Sequence, residues 1–169
     1  LNMVGLPEAA VRESRDRVRA AISCAQLEFP NRRITVNLAP ADLPKDGGRF
    51  DLPLALGILA ANGAINPQAL NDYEFIGELA LTGELRAIDG VLPAALAAKQ
   101  AGRKMIVPSG AQVAPRDAPS ICITLTVGPP VIATLLRIEL PSTKPTRWPS
   151  GATKTARSPL PVAIACGSS

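Results

Sequence analysis

Val11, Ser14, Val18, Ala21, Ile22 and Ala25 recur in helical steps, and Arg12, Glu13, Arg15, Asp16, Arg17 and Arg19 fill the positions between them. This period predicts one amphipathic helix over 6–26 with a small-residue and apolar stripe turned inward and a charged outer face. Pro7 suits its first turn and Glu8 its positive end; Glu8 also precedes Arg12 by four residues, a spacing worth about 0.3 kcal/mol as an ion pair. "LNMVGL" (1–6) reads as the end of a strand. "RRITVNLAP" (32–40) alternates Ile34, Val36 and Leu38 with polar neighbours, which predicts a strand with one buried face. "DLPLALGILAANGA" (51–64) is apolar on all sides, a mostly buried helix with Asp51 as N-cap or first-turn acid and Asn62–Gly63 as its stop.

"YEFIGELALTGELRAIDG" (73–90) predicts a strand, a turn at Thr82–Gly83 and a second strand, the clearest hairpin in the chain. "VLPAALAAKQAG" (91–102) is a short helix closed by Gly102 with Lys99 near its negative end, and "RKMIVP" (103–108) is a strand ended by Pro108. The order β-α-β-loop-α-β-β-α-β predicts an α/β (α+β) fold, a mixed sheet with packed helices whose parallel strands are joined by right-handed crossovers.

After Pro108 the pattern fails. Residues 111–169 hold nine of the seventeen prolines, with Ser, Thr, Ala and Arg between them. "SICITLTV" (120–127) and "VIATLLRIEL" (131–140) can order; the rest has no usable period. The predicted organisation is a domain over 1–109 and a Pro/Ser/Arg-rich tail over 110–169, either disordered or produced by a reading-frame shift in GC-rich coding DNA.

Composition narrows the chemistry. A length of 169 residues suits one domain with one core. No apolar run reaches the roughly eighteen residues a membrane span needs, and no signal peptide is visible, so a cytoplasmic protein with no membrane partner is expected. Leu1 in place of Met indicates a chain that starts inside a longer protein. Cys24, Cys122 and Cys166 are scattered and lack ligand spacing, which reads as reduced thiols with no metal site. The absence of histidine excludes any His-dependent triad or proton shuttle within this chain. The net charge of +4 comes wholly from residues 111–169, six basic against two acidic, while residues 1–110 balance at twelve and twelve. Charge alone therefore does not make residues 1–110 a nucleic-acid module.

"LPKDGGRFDLPLALG" (43–57) is the stretch that invites a chemical reading. A phosphate cradle needs glycines, a lysine and a hydroxyl at fixed offsets; "KDGGRFD" lacks the spacing and the hydroxyl, and "GPPVIATLL" (128–136) lacks the later glycine and lysine. Between Leu38 and Leu70 there is no Ser, Thr or Cys to act as a nucleophile. Asp46 and Asp51 could form an acid–base pair but read better as a loop hydrogen-bonder and a helix cap. Arg32, Arg33, Lys45 and Arg49 form a candidate nucleic-acid contact if the loop folds over the strand end, against the plainer reading of a solvated face.

"MVGLPEAAVRESRDRVRAAI", "ITVNLAPADLPKDGGRFDLPLALGILAA" and "FIGELALTGELRAIDGVLPAALAAKQAGRKMIVP" resemble the N-terminal region of the ComM/YifB family, the magnesium-chelatase-like AAA+ ATPases of bacteria. The resemblance covers residues 1–109, a Lon-like region with the family's first strands missing, and implies a Lon protease catalytic-domain-like, ribosomal S5 domain 2-like fold. Lon-type peptidases carry Pro-Lys-Asp-Gly-Pro-Ser-Ala-Gly with a serine nucleophile and Gly-Gly-Leu-Lys with a lysine base. Pro44, Lys45, Asp46 and Gly47 match the first motif, and with a longer loop Asp51 occupies the serine position. Gly90 matches a glycine of the second and Leu92 occupies the lysine position; Lys99, about two helical turns on, is a poor substitute. Catalytic residues are thus expected to be none.

The resemblance further implies a whole protein that is a hexameric, ATP- and Mg-dependent motor acting on DNA in branch migration and natural transformation. No cofactor is expected in this fragment, whose partners would be its own AAA+ module, further copies of itself and DNA. Its expected role is a non-catalytic assembly or DNA-guiding element; the alternative is a peptidase-like regulatory module that binds a protein or peptide without cleaving it.

Overall fold

The computed structural model describes residues 1–5, 9–40, 45–109, 122–125, 132, 154–157 and 162–166. In chain order come β1 (Asn2–Val4), α1 (Ala9–Cys24), β2 (Ile34–Leu38), a 3-10 turn over Gly48–Phe50, and α2 (Asp51–Ala61). A second 3-10 turn (Pro67–Leu70) leads to β3 (Tyr73–Phe75), β4 (Glu78–Leu79), β5 (Leu85–Arg86), α3 (Val91–Gln100) and β6 (Lys104–Pro108). Then follow β7 (Cys122–Leu125), β8 (Lys154–Arg157) and β9 (Val162–Cys166). The architecture is mixed α/β, as the pattern predicts. Pro7 and the Glu8–Arg12 pair lie outside the described residues.

The helical period of α1 is realised: Val11, Ser14, Val18, Ala21 and Ile22 are fully buried and Ala25 nearly so. Strand β2 turns Ile34, Val36 and Leu38 inward, and every residue of α2 is buried. These three faces form one apolar cluster, because an all-apolar helix is stable only when covered on all sides. A second cluster of Ile76, Val91, Ala95, Ala98, Met105 and Val107 seats α3 on β6.

Among the described residues the strands of this mixed α/β fold form three small sheets. Their orders are β1-β2-β9-β8, β3-β6-β7 and the pair β4-β5. β1 runs parallel to β2 with Asn2 opposite Thr35, and β3 runs parallel to β6 with Tyr73 opposite Lys104. The predicted first hairpin strand is split at Gly77. The Gly77 amide donates to the Arg49 carbonyl and its own carbonyl accepts from the Leu52 amide, so these groups serve the start of α2. The hairpin itself is kept as β4 and β5, closed by the Gly83 amide on the Ala80 carbonyl.

β7 falls within 120–127, where the sequence predicts order. β8 and β9 lie in a stretch with no predicted period: β9 pairs antiparallel with β2 and β8 with β9, so ladder hydrogen bonding places them rather than an alternating side-chain pattern. The rest of 110–169 lies outside the described residues.

One polar contact ties the helices together. Asp51 is fully buried, and its carboxylate accepts from Arg17 through Nε at 2.6 Å and Nη2 at 3.2 Å. The same carboxylate accepts from the Leu79 amide at 3.1 Å, while Arg17 Nη2 also donates to Ser14 Oγ at 3.1 Å. α1, α2 and β4 thus meet on one side chain. Burial pushes the Asp51 carboxyl up, against the lowering pull of Arg17, Ser14 and the Leu79 amide. Arg17 is raised by its hydrogen bond to Asp51. Asp51 is the first-turn acid of α2, the second of the two places read for it, while Phe50 is the N-cap residue and makes no side-chain cap bond. Arg17, assigned by period to the outer face, is turned inward.

Arg17→Met is expected to cost about 3 kcal/mol in urea unfolding at neutral pH, because it leaves the Asp51 carboxylate buried without its cation. Asp51→Leu combined with Arg17→Met should cost less than Arg17→Met alone. With the folded carboxyl above its unfolded value of about 3.9, the folded chain holds that proton to higher pH. This contribution is therefore greatest below the unfolded value and declines as pH climbs through the raised folded one, a decline that Asp51→Asn should lack. Gly5, at φ 102°, ends β1 where a Cβ would lie 2.0 Å from the Leu38 carbonyl oxygen. Backbone cannot yield there, so Gly5→Ala is expected to lower the melting temperature by several degrees.

Candidate functional site: two arginine-lined grooves

The loop before α2 presents Arg49, not Asp51, to the neighbouring helix. A 3-10 turn has three residues per turn, so positions 49 and 51 point in different directions. Asp51 goes inward to Arg17. The Arg49 guanidinium reaches α3, its Nη1 and Nη2 lying 3.8 and 3.9 Å from where a Cβ on Gly90 would sit. Gly90 is the N-cap residue of α3, at φ 73°, and supplies no side-chain cap. Counted without a gap from Pro44, the serine position of Pro-Lys-Asp-Gly-Pro-Ser is also Arg49. Arg49 therefore faces the groove beside α3, while Asp51, read from the resemblance as the serine position, faces Arg17. Asp46 is exposed and Asp51 sealed, so the two carboxylates do not share an acid–base site. Leu92 lies on the first turn of α3 and is 39% exposed.

Arg49 lines a groove of about 340 Å³ between α3 and the β3-β6 sheet. Its walls are apolar, with Phe50, Phe75 and Met105 facing the alanines of α3, and the Glu74–Arg103 ion pair stands at its edge. Arg49 Nε is enclosed with no hydrogen-bond partner.

The second groove, of about 400 Å³, is polar and lies between α1 and the start of β2. Arg15, Arg19, Arg32 and Arg33 line it together with Phe29, and among the described residues no carboxylate does. Arg15 and Arg19 are one helical turn apart, and the Arg19 guanidinium lies 5.0 Å from the centre of the Phe29 ring. Here the structure revises the basic patch read from sequence. Arg32 and Arg33 do face one groove, but Lys45 is buried with its ammonium on the Pro40 carbonyl. Pro40 lies past the far end of β2, whose five residues span about 16 Å. Arg49 belongs to the other groove. Arg15 and Arg19 take their places; their four-residue spacing was readable in the sequence, but their proximity to Arg32 and Arg33 was not.

Among the described residues no group of three or more His, Cys, Asp or Glu gathers in a way that could hold a metal ion. The described residues thus offer no donor set for magnesium, and the sequence holds no G-x-x-x-x-G-K-[ST] cradle for ATP. No helix among the described residues is long and apolar enough to cross a membrane. Cys24 is exposed and free; the side chains of Cys122 and Cys166 lie outside what is described.

Comparison with known proteins agrees with this architecture. The chain is 58% identical over 105 residues to the competence protein ComM of Haemophilus influenzae, a match covering 62% of this chain and 21% of that protein. It is 55% identical over 107 residues to YifB of Escherichia coli, covering 63% and 21%. A Lon protease of Leptospira interrogans is 37% identical over 81 residues, 47% of this chain and 9% of that protein, in keeping with the Lon-like fold expected. The chain thus spans about a fifth of the length of the ComM and YifB relatives it matches. Residues 1–111 of the 169 match the family described as subunit ChlI of Mg-chelatase. The chain belongs to that magnesium-chelatase ChlI family, on the branch that includes ComM and YifB.

Proposed function

We propose that this chain is a non-catalytic, DNA-guiding element of a ComM-type AAA+ motor, and that the groove of Arg15, Arg19, Arg32 and Arg33 is its contact with the phosphate backbone. The observation that carries the reading is four arginines around one groove with no lining carboxylate among the described residues. Among the described residues none of the four is engaged in an ion pair, so their charge is available to a polyanion. Guanidinium groups bind phosphate oxygens through paired donors and stack on rings, and Phe29 adds an apolar face for a base or sugar. In the whole protein, ATP and magnesium would drive a homo-hexamer in the cytoplasm, acting in DNA branch migration during natural transformation. This element would hold the strand without consuming nucleotide. Neither Asp51 nor Arg49 is a hydroxyl nucleophile, and Leu92 is no amine base.

Binding of the 169-residue chain to a labelled duplex, followed as salt is raised, tests the reading. Each phosphate contact contributes about 0.9 to the slope of log affinity against log salt. The combined Arg15→Ala and Arg32→Ala variant should weaken binding at low salt and flatten the slope by about 2. Lys45→Ala should leave the slope unchanged, since Lys45 is buried. An unaltered slope in the double arginine variant would overturn the DNA contact.

A further inference from the structure

The Arg49 groove presents a different chemistry, independent of the arginine groove. Among the described residues no carboxylate pairs with the Arg49 guanidinium, and its enclosed Nε meets no acceptor. An enclosed donor without a partner is unfavourable. The guanidinium also stands at the start of α3, where the helix dipole is positive and Gly90 offers no side-chain acceptor. A cation has the wrong sign there. An anion seated on the Arg49 Nη atoms offsets the like-sign contact with the start of α3.

The rest of the groove decides what the anion is attached to. α3 has ten residues and is about 15 Å long, with Arg49 at its first turn and the Glu74–Arg103 pair past its last. Between these ends lie Ala94, Ala97 and Ala101 on one side and Phe75 and Met105 on the other. Small alanines leave this trough open, and it accepts apolar groups only. A nucleic-acid strand does not suit it, because Arg103 is already engaged by Glu74 and, among the described residues, no other cation lines the groove beside Arg49. An extended peptide advances about 3.3 Å per residue, so about four residues span the groove. A chain terminus places its carboxylate directly beside its last apolar side chains, as Arg49 adjoins the alanine wall here.

We propose that this groove binds the C-terminal end of a polypeptide whose last residues are small or aliphatic, with the terminal carboxylate on Arg49 and the side chains along α3. The proposal goes beyond the DNA contact and uses none of its residues. It gives the cleft a ligand that is held by its end and is not cut.

The test is fluorescence anisotropy of the 169-residue chain with dye-labelled Ala-Leu-Ala-Leu, as the free acid and as the C-terminal amide. The acid is expected to bind roughly tenfold more tightly than the amide, the preference given by a charge-assisted pair. Arg49→Met should bring the acid down to the level of the amide, and Arg49→Lys should keep part of the preference. Ala97→Trp, on the exposed side of α3, should weaken both ligands by filling the trough. Far-UV circular dichroism of each variant establishes that it is folded. The Arg15→Ala, Arg32→Ala variant should keep peptide binding while losing DNA, so the two proposals fail separately. Equal affinity for acid and amide, no binding of the acid at millimolar concentration, or a preference that survives Arg49→Met would each overturn the proposal. So would equally tight binding of an amidated peptide carrying an internal aspartate.

Discussion

A single buried carboxylate sets the geometry of this domain. Asp51 opens α2, accepts two hydrogen bonds from Arg17 of α1 and a third from the Leu79 amide of β4, and is shielded from water on every side. Desolvating both charges offsets much of their attraction, so the pair supplies direction more than net stability. Two helices that would otherwise slide on apolar contacts are held at one point. The loop just before α2 inherits that fixed position, and the Gly77 backbone holds it from the other side through Arg49 and Leu52. Arg49, two residues from the anchored carboxylate, is thereby directed at α3.

The two grooves differ in what they ask of a ligand. The groove beside α1 is lined by four guanidinium groups, and its attraction is long-ranged and screened by salt. The groove beside α3 is apolar with one enclosed cation, so its selectivity is short-ranged and depends on fit. The Arg49 groove carries a fixed positive charge and no hydroxyl or thiol among its described lining residues. A guanidinium cannot attack a carbonyl carbon, but it can hold a carboxylate.

The sheets show how local backbone requirements shape the whole. A single strand over 73–79 would have paired along its full length, but Gly77 gives its amide and carbonyl to the start of α2. The ladder with β6 therefore stops, and β4 closes on β5 as a separate hairpin. The arrangement spends one strand's continuity on positioning the loop that carries Arg49.

The sequence by itself determined the elements. The stripe from Val11 to Ala25, the alternation from Ile34 to Leu38, the all-apolar run of α2 and the glycine stops at Gly63 and Gly102 are local periods, and local periods are legible because each residue's face follows from its neighbours' spacing. The lack of a Ser, Thr or Cys nucleophile in the loop was equally plain. Tertiary structure alone decided which charges meet. Arg17 is indistinguishable in period from Arg15 and Arg19, yet it points inward because a carboxylate 34 residues away needs a partner. Arg15 and Arg19 share a groove with Arg32 and Arg33, while Lys45 is buried, only because β2 sets its two ends apart. Such pairings depend on distances through space between distant segments, a quantity that no period along the chain encodes.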